Sequence, residues 1–452
     1  MMTRVLIPSG ALGLNYDPVA LERGLEMQPD IIAIDGGSTD SGPAYLGQGV
    51  SKYSRASTLV EWQGLMEARA RAGVPLVIGT AGTCGADSAV DWMLDITREA
   101  AANLGQKVKI AVLRCSQIQA DMADAYADGR ITPLGNAPDV NAESFLSATN
   151  IVALAGAEQV AAAIETGADV IIAGRTTDTA IIAALPLMRG CHAGAAWHGA
   201  KIGECGALCA TNPQSGVIVV DFDDDGFTVT PLADGAHAKP ETVFAHMLYE
   251  NSDPFILYEP GGHLDVTEAD YTALDERRVR VTGSRWVPSD LYTVKLEGAG
   301  VAGYQSVILA VLRDSRYVAG AQEWAADIVT RCRAKVESRL GLSPESFHIE
   351  IRLIGQTASF GALETRHDMP LETGAMGIVT AETPELAQEI AKMLNPYLLH
   401  HPLTQEEEQP TFAFPFSPAE MQRGAVYEFR LNHVLQLRDP MDAFRLEVLE
   451  VA

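Results

Sequence analysis

Five short runs in the first half of the chain, RVLIP (4–8), DIIAID (30–35), PLVIG (75–79), KIAVLR (109–114) and DVIIAG (169–174), are apolar almost throughout and do not alternate with polar residues. A strand with one wet face alternates, whereas a strand covered on both faces reads as a continuous hydrophobic run. Parallel strands cannot be joined by tight hairpins and need long crossovers. The intervening text supplies them: STLVEWQGLMEARARAG (57–73) and DSAVDWMLDITREAAANLG (87–105) carry helical periodicity. The second has Asp87 or Ser88 as N-cap, apolar Val90, Met93, Leu94 and Ile96 on one face, and Gly105 as a stop. The predicted fold class is α/β, an open, mostly parallel sheet with helices on both faces.

The rhythm changes after residue 215. GVIVVDF (216–222), RVRVTGS (278–284) and LYTVKLEG (291–298) alternate and are separated by Gly, Pro and Asp, which predicts antiparallel strands in a smaller layer. GYQSVILAVLRD (303–314), a helix over 316–340, FHIEIRLIG (347–355), GAMGIVTAE (374–382) and a helix over 384–394 then follow in the order of a split βαβ unit. This gives three expected parts: an α/β domain over 1–215 carrying the site, a β-rich region over 216–302, and an α+β domain over 303–452. HHPLTQEEEQPTF (400–412) reads as a solvated, linker-like loop.

Composition removes several function classes. Lys plus Arg is 33 against 59 Asp plus Glu, a net charge of −26 that repels phosphate backbones and anionic lipids, so neither nucleic acid nor membrane is an expected partner. The six cysteines are scattered, not set at framework spacings, which fits a reducing cytoplasm. The first residues, MMTRVLIPSGALGLN, contain an apolar run too short for a signal-peptide core.

In an open parallel sheet, ligands bind beyond the carboxyl ends of the strands. Here those ends run into SGALGLN (9–15), DGGSTDSGP (35–43), GTAGTCG (79–85), Arg114 to Ser116, and GRTTD (174–178). Glycines let backbone approach a ligand, and hydroxyls and carboxylates orient it. Arg175 at the end of a buried strand requires an anion, either an internal carboxylate such as Asp35 or Asp40 or a bidentate substrate carboxylate. Thr176 and Thr177 and the N–H groups around Gly82, Thr83 and Gly85 are candidate donors to a substrate oxygen. Ser38, with Asp35 and Asp40, belongs either to the binding wall or to a tight Asx turn. Asp178 either caps the helix that follows or acts in catalysis. Cys84, next to a helix N-terminus, is a candidate nucleophile or base, or a small buried thiol.

CHAGAAWHGAKIGECGALC (191–209) places His198, Ile202, Cys205 and Cys209 on one helical face and allows a Lys201–Glu204 ion pair. Glu204 with Cys205 is the candidate functional unit, because the Cys and His spacing matches no zinc ribbon or finger. GTAGTCG lacks the G-x-G-x-x-G spacing of a dinucleotide fingerprint and G-x-x-x-x-G-K-[ST] occurs nowhere, so no nucleotide cofactor is predicted. A divalent metal among Asp35, Asp40, Asp178 and Glu204 stays open.

GTAGTCGADSAVDWMLDI (79–96), GADVIIAGRTTDTAIIAALP (167–186), ECGAL (204–208), LYEPGGHLDVT (257–267), RVRVTGSRW (278–286), YTVKLEGA (292–299), FAFPFSPAEM and YEFRLNHV (within 412–434) resemble the acyclic terpene utilisation proteins of the AtuA type over nearly the whole chain. The resemblance implies a setting in catabolism of citronellol-like terpenes through branched acyl-CoA thioesters, without assigning a reaction. It aligns Arg175, Asp178, Glu204, Cys205 and Gly206 with the family's strings. It does not carry over Cys84, whose position in the family is often a small residue without a thiol.

Three functions compete. The first is an isomerase or hydro-lyase moving a proton α to the carbonyl of a small organic acid or its CoA thioester, with Arg175 as clamp and Asp178, Glu204 or Cys205 as base. The second is a hydrolase or acyl-transfer enzyme with Cys205 or Cys84 as nucleophile. Its activating histidine cannot be His198, about 10 Å from Cys205 along a helix axis. The third is a non-catalytic subunit of an acyl-CoA processing complex. A homo-oligomer or a small partner subunit is compatible with all three.

Overall fold

The computed structural model describes residues 2–366 and 368–451. The chain divides into two compact units, one formed by Met1–Gly300 with Glu428–Ala452 and the other by Val301–Tyr427.

The first unit is organised by a ten-stranded sheet. At its centre the strands Thr3–Ile7, Ile31–Asp35, Leu76–Gly79, Val170–Ala173 and Val108–Arg114 lie side by side, all parallel. These are the five continuous apolar runs of the sequence. Their pleat divides them between two cores: Ile32, Ile34, Leu76, Ile78, Val170 and Ile172 face one, and Ile31, Ala33, Val77 and Ile171 face the other. Helices Arg55–Ala72 and Asp87–Leu104 cover the first face through Trp62, Leu65, Val90 and Met93. Helix Ala180–Met188 and helix Ala193–Gly203 cover the second through Ile181, Ile182, Trp197 and Ile202. The Asp87 side chain does not cap its helix. Ala86 occupies that position, and Asp87 instead accepts from the Ser116 amide at 3.2 Å. Gly105 ends the helix in the left-handed conformation, as its position predicts.

The segments after residue 215 extend this same sheet. Ile218–Phe222 pairs antiparallel with Thr3–Ile7, and Gly226–Pro231, Val279–Thr282 and Asp270–Ala273 follow outward. Arg445–Val451 closes the opposite edge against Val108–Arg114. The alternation seen at 216–222 and 278–284 is therefore that of antiparallel strands at the flank of the main sheet. Only Ile256–Glu259, Gly262–Asp265 and Arg285–Pro288 form a separate three-stranded layer.

In the second unit, Thr373–Ala381 lies antiparallel between Phe347–Ile354 and residues 304–312 of the long strand Tyr292–Leu312. The two outer strands run in the same direction, joined through helix Ala321–Leu340, with a third strand between them. That is the split βαβ arrangement.

None of the described helices is long and apolar enough to cross a membrane.

Gly85 shows how tightly the strand ends pack. Its φ is +64°, and a Cβ there would lie 2.2 Å from the Arg175 amide nitrogen. Gly85→Ala is expected to cost about 2–4 kcal/mol, from backbone strain plus a clash with main chain. Gly105→Ala, at φ +63° with nothing within 4 Å, should cost only the backbone part, about 1–2 kcal/mol. Denaturant unfolding of both variants checks the difference.

Candidate functional site

The carboxyl ends of the first two central strands open into a cavity of ≈ 560 Å³. Ser9 to Ala11 follow the strand Thr3–Ile7, and Asp35, the last residue of its strand, begins the loop through Gly37, Ser38 and Asp40. The opposite wall comes from the end of helix Ala193–Gly203, where Glu204 and Cys205 leave the helix. Glycine permits this approach: a Cβ on Gly10 would stand 3.0 Å from the Cys205 Cα, and one on Gly206, at φ +59°, would stand 2.4 Å from the Gly216 carbonyl oxygen.

Of the residues singled out in the sequence, the structure brings Asp35, Ser38, Asp40, Asp178, Glu204 and Cys205 together on this wall. Lys52, Tyr53, Tyr249 and Glu250 join them unannounced. Ser38 donates to the Asp40 carboxylate at 2.9 Å and its hydroxyl accepts from the Asp40 amide at 3.3 Å, a serine-type turn at the exposed rim. Thr177 is half-buried, with its hydroxyl 3.1 Å from that of Thr179, and Thr176 is fully buried 3.4 Å from the Thr80 hydroxyl.

The 82–85 turn does not offer the donors expected of it. The amides of Thr83, Cys84 and Gly85 donate to Thr80, Gly82 and Ala81 within the turn itself. The Gly85 carbonyl accepts from the Arg175 amide at 3.1 Å, so the glycines of this turn serve close packing against the neighbouring strand end. Cys84 is buried among Leu46, Ala86, Ala89, Val152 and Ala299, and burial pushes its thiol up, opposite to the activation expected beside a helix N-terminus.

Arg175 finds its anion inside the protein, but in a residue the sequence reading passed over. Its Nε donates to Glu297 Oε2 at 3.0 Å and its Nη2 to Glu297 Oε1 at 3.3 Å, a bidentate pair with both side chains buried. Nη2 also reaches Thr39 at 3.4 Å, and Nη1 serves the Thr176 carbonyl at 3.0 Å, Thr80 at 3.2 Å and Asp178 at 3.4 Å. With its donors so engaged, the guanidinium is not placed to clamp a substrate carboxylate. Burial works against the Glu297 charge, yet Arg175 and Lys295 hold its carboxyl down to about 2. Asp178 turns toward Arg175 and does not cap the helix Ala180–Met188, whose N-cap position is Thr179.

The remaining carboxyls behave in the opposite way. Burial, and then the charge of Asp178, raise Asp35 well above the carboxylate range, although Arg175 and a 2.8 Å bond from the Gly36 amide oppose this. Asp178 is raised by burial against Arg175 and Lys201. Glu204 is pushed up to about 8 by burial despite a buried ion pair with Lys201. Glu259, which accepts from Thr179, is pushed up to about 7, again by burial. Four carboxyls thus compete for too little positive charge in a desolvated space.

His246, at the end of helix Pro240–His246, completes the cluster. A ligating atom from each of Glu204, Cys205 and His246 lies within 4.8 Å of the other two. Of the carboxylates the sequence offered as metal ligands, only Glu204 belongs to this group. Among the described residues, the buried side-chain atoms without a hydrogen-bond partner are Gln106 Oε1, His246 Nε2 and Glu259 Oε2, and the last two belong to this neighbourhood. His198 is spent elsewhere, bonded to Ser284 at 2.7 Å and to the Tyr271 hydroxyl at 3.1 Å, and burial lowers it to about 3. No local motif marks His246 in PETVFAHMLYE. Glu259 and Glu297 lie inside the family-like strings LYEPGGHLDVT and YTVKLEGA, which was the signal that could have found them.

Fold and site together define an α/β protein with a carboxyl-lined cavity at the ends of parallel strands. The profile of the acyclic terpene utilisation family protein AtuA matches residues 53–414, and the chain belongs to that family. Comparison with curated proteins and with solved structures gives no match.

Two measurements test these assignments. Arg175→Ala leaves the buried Glu297 with only the partly exposed Lys295 as counter-charge and is expected to cost on the order of 3–5 kcal/mol, lowering the thermal midpoint with no ligand present. Replacing both partners by Met and Leu should recover most of that loss. For Glu259, the ordinary value of 4.5 rises to about 7 on folding. The native state therefore favours its protonated form, and the stability it contributes is full below 4.5 and lost as pH rises through about 7. Glu259→Gln should flatten that part of the stability profile, by up to roughly 3 kcal/mol in pH-dependent unfolding.

Proposed function

We propose that the cavity moves a proton α to the carbonyl of a branched acyl-CoA thioester, as an isomerase or hydro-lyase in acyclic terpene catabolism. The observation that carries this is the pair Asp35 and Asp178, two carboxyls on one cavity wall whose surroundings separate them. Asp35 is the more strongly held in its protonated form and suits the acid that meets the carbonyl oxygen as negative charge grows there. Asp178, steadied by Arg175, is the base, and its raised affinity for protons fits it to take one from carbon. The enol returns its hydroxyl proton to Asp35 as Asp178 delivers its own proton to the α carbon or, where a double bond is conjugated with the enol, to the γ carbon, which shifts that double bond. Loss of a β-hydroxyl as water is the hydro-lyase variant.

At the reacting end of the substrate the electrostatics favour a thioester carbonyl over a free carboxylate, with the phosphates of CoA held outside this acidic cavity. Asp35, Asp40, Asp178, Glu204 and Glu250 line the cavity, with Lys52 as the cation on the same wall, and Arg175 is neutralised by Glu297. A free carboxylate would enter against like charge, while a thioester presents an uncharged carbonyl.

A specific observation keeps a second reading in play. His246, not His198, stands beside Cys205, which would give an acyl-transfer enzyme its activating base. Burial and the neighbouring Glu204 push the Cys205 thiol up, and burial lowers His246 to about 4, so the two are tuned away from a thiolate–imidazolium pair.

Deuterium incorporation from D2O into a panel of branched and unsaturated acyl-CoA thioesters and their free acids tests the proposal. Exchange at the α carbon of thioesters is expected, falling by at least about 100-fold in Asp178→Asn with the thermal midpoint near wild type. No exchange and no turnover across the panel would overturn it, and a covalent acyl adduct on Cys205 by intact-protein mass spectrometry would establish the second reading instead.

A further inference from the structure

We propose that Glu204, Cys205 and His246 form a binding site for a thiophilic divalent cation of the zinc type, held at the edge of the same cavity. The inference stands on side chains that the Asp35 and Asp178 pair does not use, so it holds whether or not those two perform the proton transfer.

The geometry begins with three unlike donors brought together from two helix ends. Glu204 and Cys205 leave helix Ala193–Gly203 in succession, and His246 closes helix Pro240–His246, so two rigid elements fix the ligands. Their donor atoms lie within 4.8 Å of one another. Around a tetrahedral zinc, with bonds of about 2.0–2.3 Å, donor atoms stand about 3.3–3.7 Å apart. The donors are at most about 1.5 Å farther apart than such a tetrahedron requires, a gap on the scale of side-chain rotation.

The second observation is independent of the cluster's composition. His246 is 4% exposed, and its Nε2 has no hydrogen-bond partner. A buried polar atom left without a partner costs about 1–3 kcal/mol, and natural proteins keep such atoms rarely and for a reason. A neutral imidazole nitrogen with a bare lone pair, next to a thiol and a carboxylate, is the donor set of a cation site. Lys201 occupies Glu204 Oε1 and leaves Oε2 as the oxygen for a metal.

Charge points the same way. When the cation binds, the Cys205 thiol gives its proton to solvent and the sulfur becomes a thiolate. The Glu204 carboxylate and that thiolate then face the two charges of the ion together with the Lys201 ammonium, and Asp178, Glu250 and Glu259 nearby supply the remaining negative charge. Three protein ligands leave one position of a tetrahedral ion to the cavity, which Glu204 and Cys205 line. A sulfur and an imidazole select zinc, cobalt or ferrous iron over magnesium and calcium, which take oxygen.

The test uses the full-length chain, stripped with a chelator and titrated with Co2+ and Zn2+. One Co2+ per chain is expected, with visible d–d bands and a near-ultraviolet thiolate-to-cobalt charge-transfer band. Zn2+ should displace it, and Mg2+ and Ca2+ should not. Cys205→Ser should abolish the charge-transfer band, and His246→Gln should weaken Zn2+ binding at least about tenfold in calorimetry. Circular dichroism melts establish whether each variant is folded. Should His246→Gln not fold, the near-isosteric Cys205→Ser spectrum decides. Failure of wild-type chain to develop the charge-transfer band, or its persistence in Cys205→Ser, overturns the site. Neither readout depends on turnover, so the result is separable from the fate of the proton-transfer reading.

Discussion

The buried pair of Arg175 and Glu297 holds the functional end of the sheet together. A guanidinium that is 6% exposed must satisfy its donors within the protein, and it does so by recruiting Glu297 from the strand Tyr292–Leu312, Thr39 from the loop after the second central strand, and Thr80 from the turn after the third. One strand and two loops are tied to one cation. Glu297 is itself bonded to Thr39 at 2.8 Å and approached by Lys295 at 3.2 Å, so the network closes on itself. Such networks rigidify when fully satisfied, and the position of Asp178 follows from this one.

That same pairing explains the unusual character of the cavity. Because Glu297 takes most of the charge of Arg175, little is left for Asp35 and Asp178, and Lys201 is committed to Glu204. The carboxyls that face the cavity are then governed by burial and by one another. Glu297 and Glu204 illustrate the contrast. Both are buried and both have a cationic neighbour, but the first is held down to about 2 by a bidentate guanidinium and the second rises to about 8 beside an ammonium. A planar fork saturates both carboxylate oxygens, whereas an ammonium engages one and leaves the other desolvated.

The sheet was readable in the sequence because its signal is local. Five runs apolar on both faces can only be central strands, and the glycines after them announce loops that approach one another. The strand ends led to Asp35, Asp178, Glu204 and Cys205 for the same reason, since each sits where a regular element stops. What escaped was long-range pairing. Nothing near Arg175 indicates Glu297, which is 122 residues away, and nothing in an amphipathic seven-residue helix marks His246 as the neighbour of Cys205. The glycine turn at 82–85 misled for a physical reason: glycine spacing that lets backbone approach a ligand also lets backbone approach backbone, and here it does the latter.

Crowded carboxyls in a desolvated cleft have three ways to relieve their repulsion: binding protons, binding a cation, or excluding further anions. Asp35 is pushed toward the first, since burial and the charge of Asp178 raise it and only the Gly36 amide and a shared guanidinium oppose this. Glu204 is pushed toward the first by burial with Lys201 on one of its oxygens, and the proposed cation site would offer it the second. The third applies to whatever enters. An acyl chain can bring an uncharged carbonyl to this wall, but a free acid brings a charge that neither Arg175 nor Lys201 is free to receive. On the proposed function, a preference for a thioester carbonyl over a free carboxylate would follow from the same scarcity of positive charge that raises Asp35, so one electrostatic condition would serve both the acid and the selectivity of the cavity.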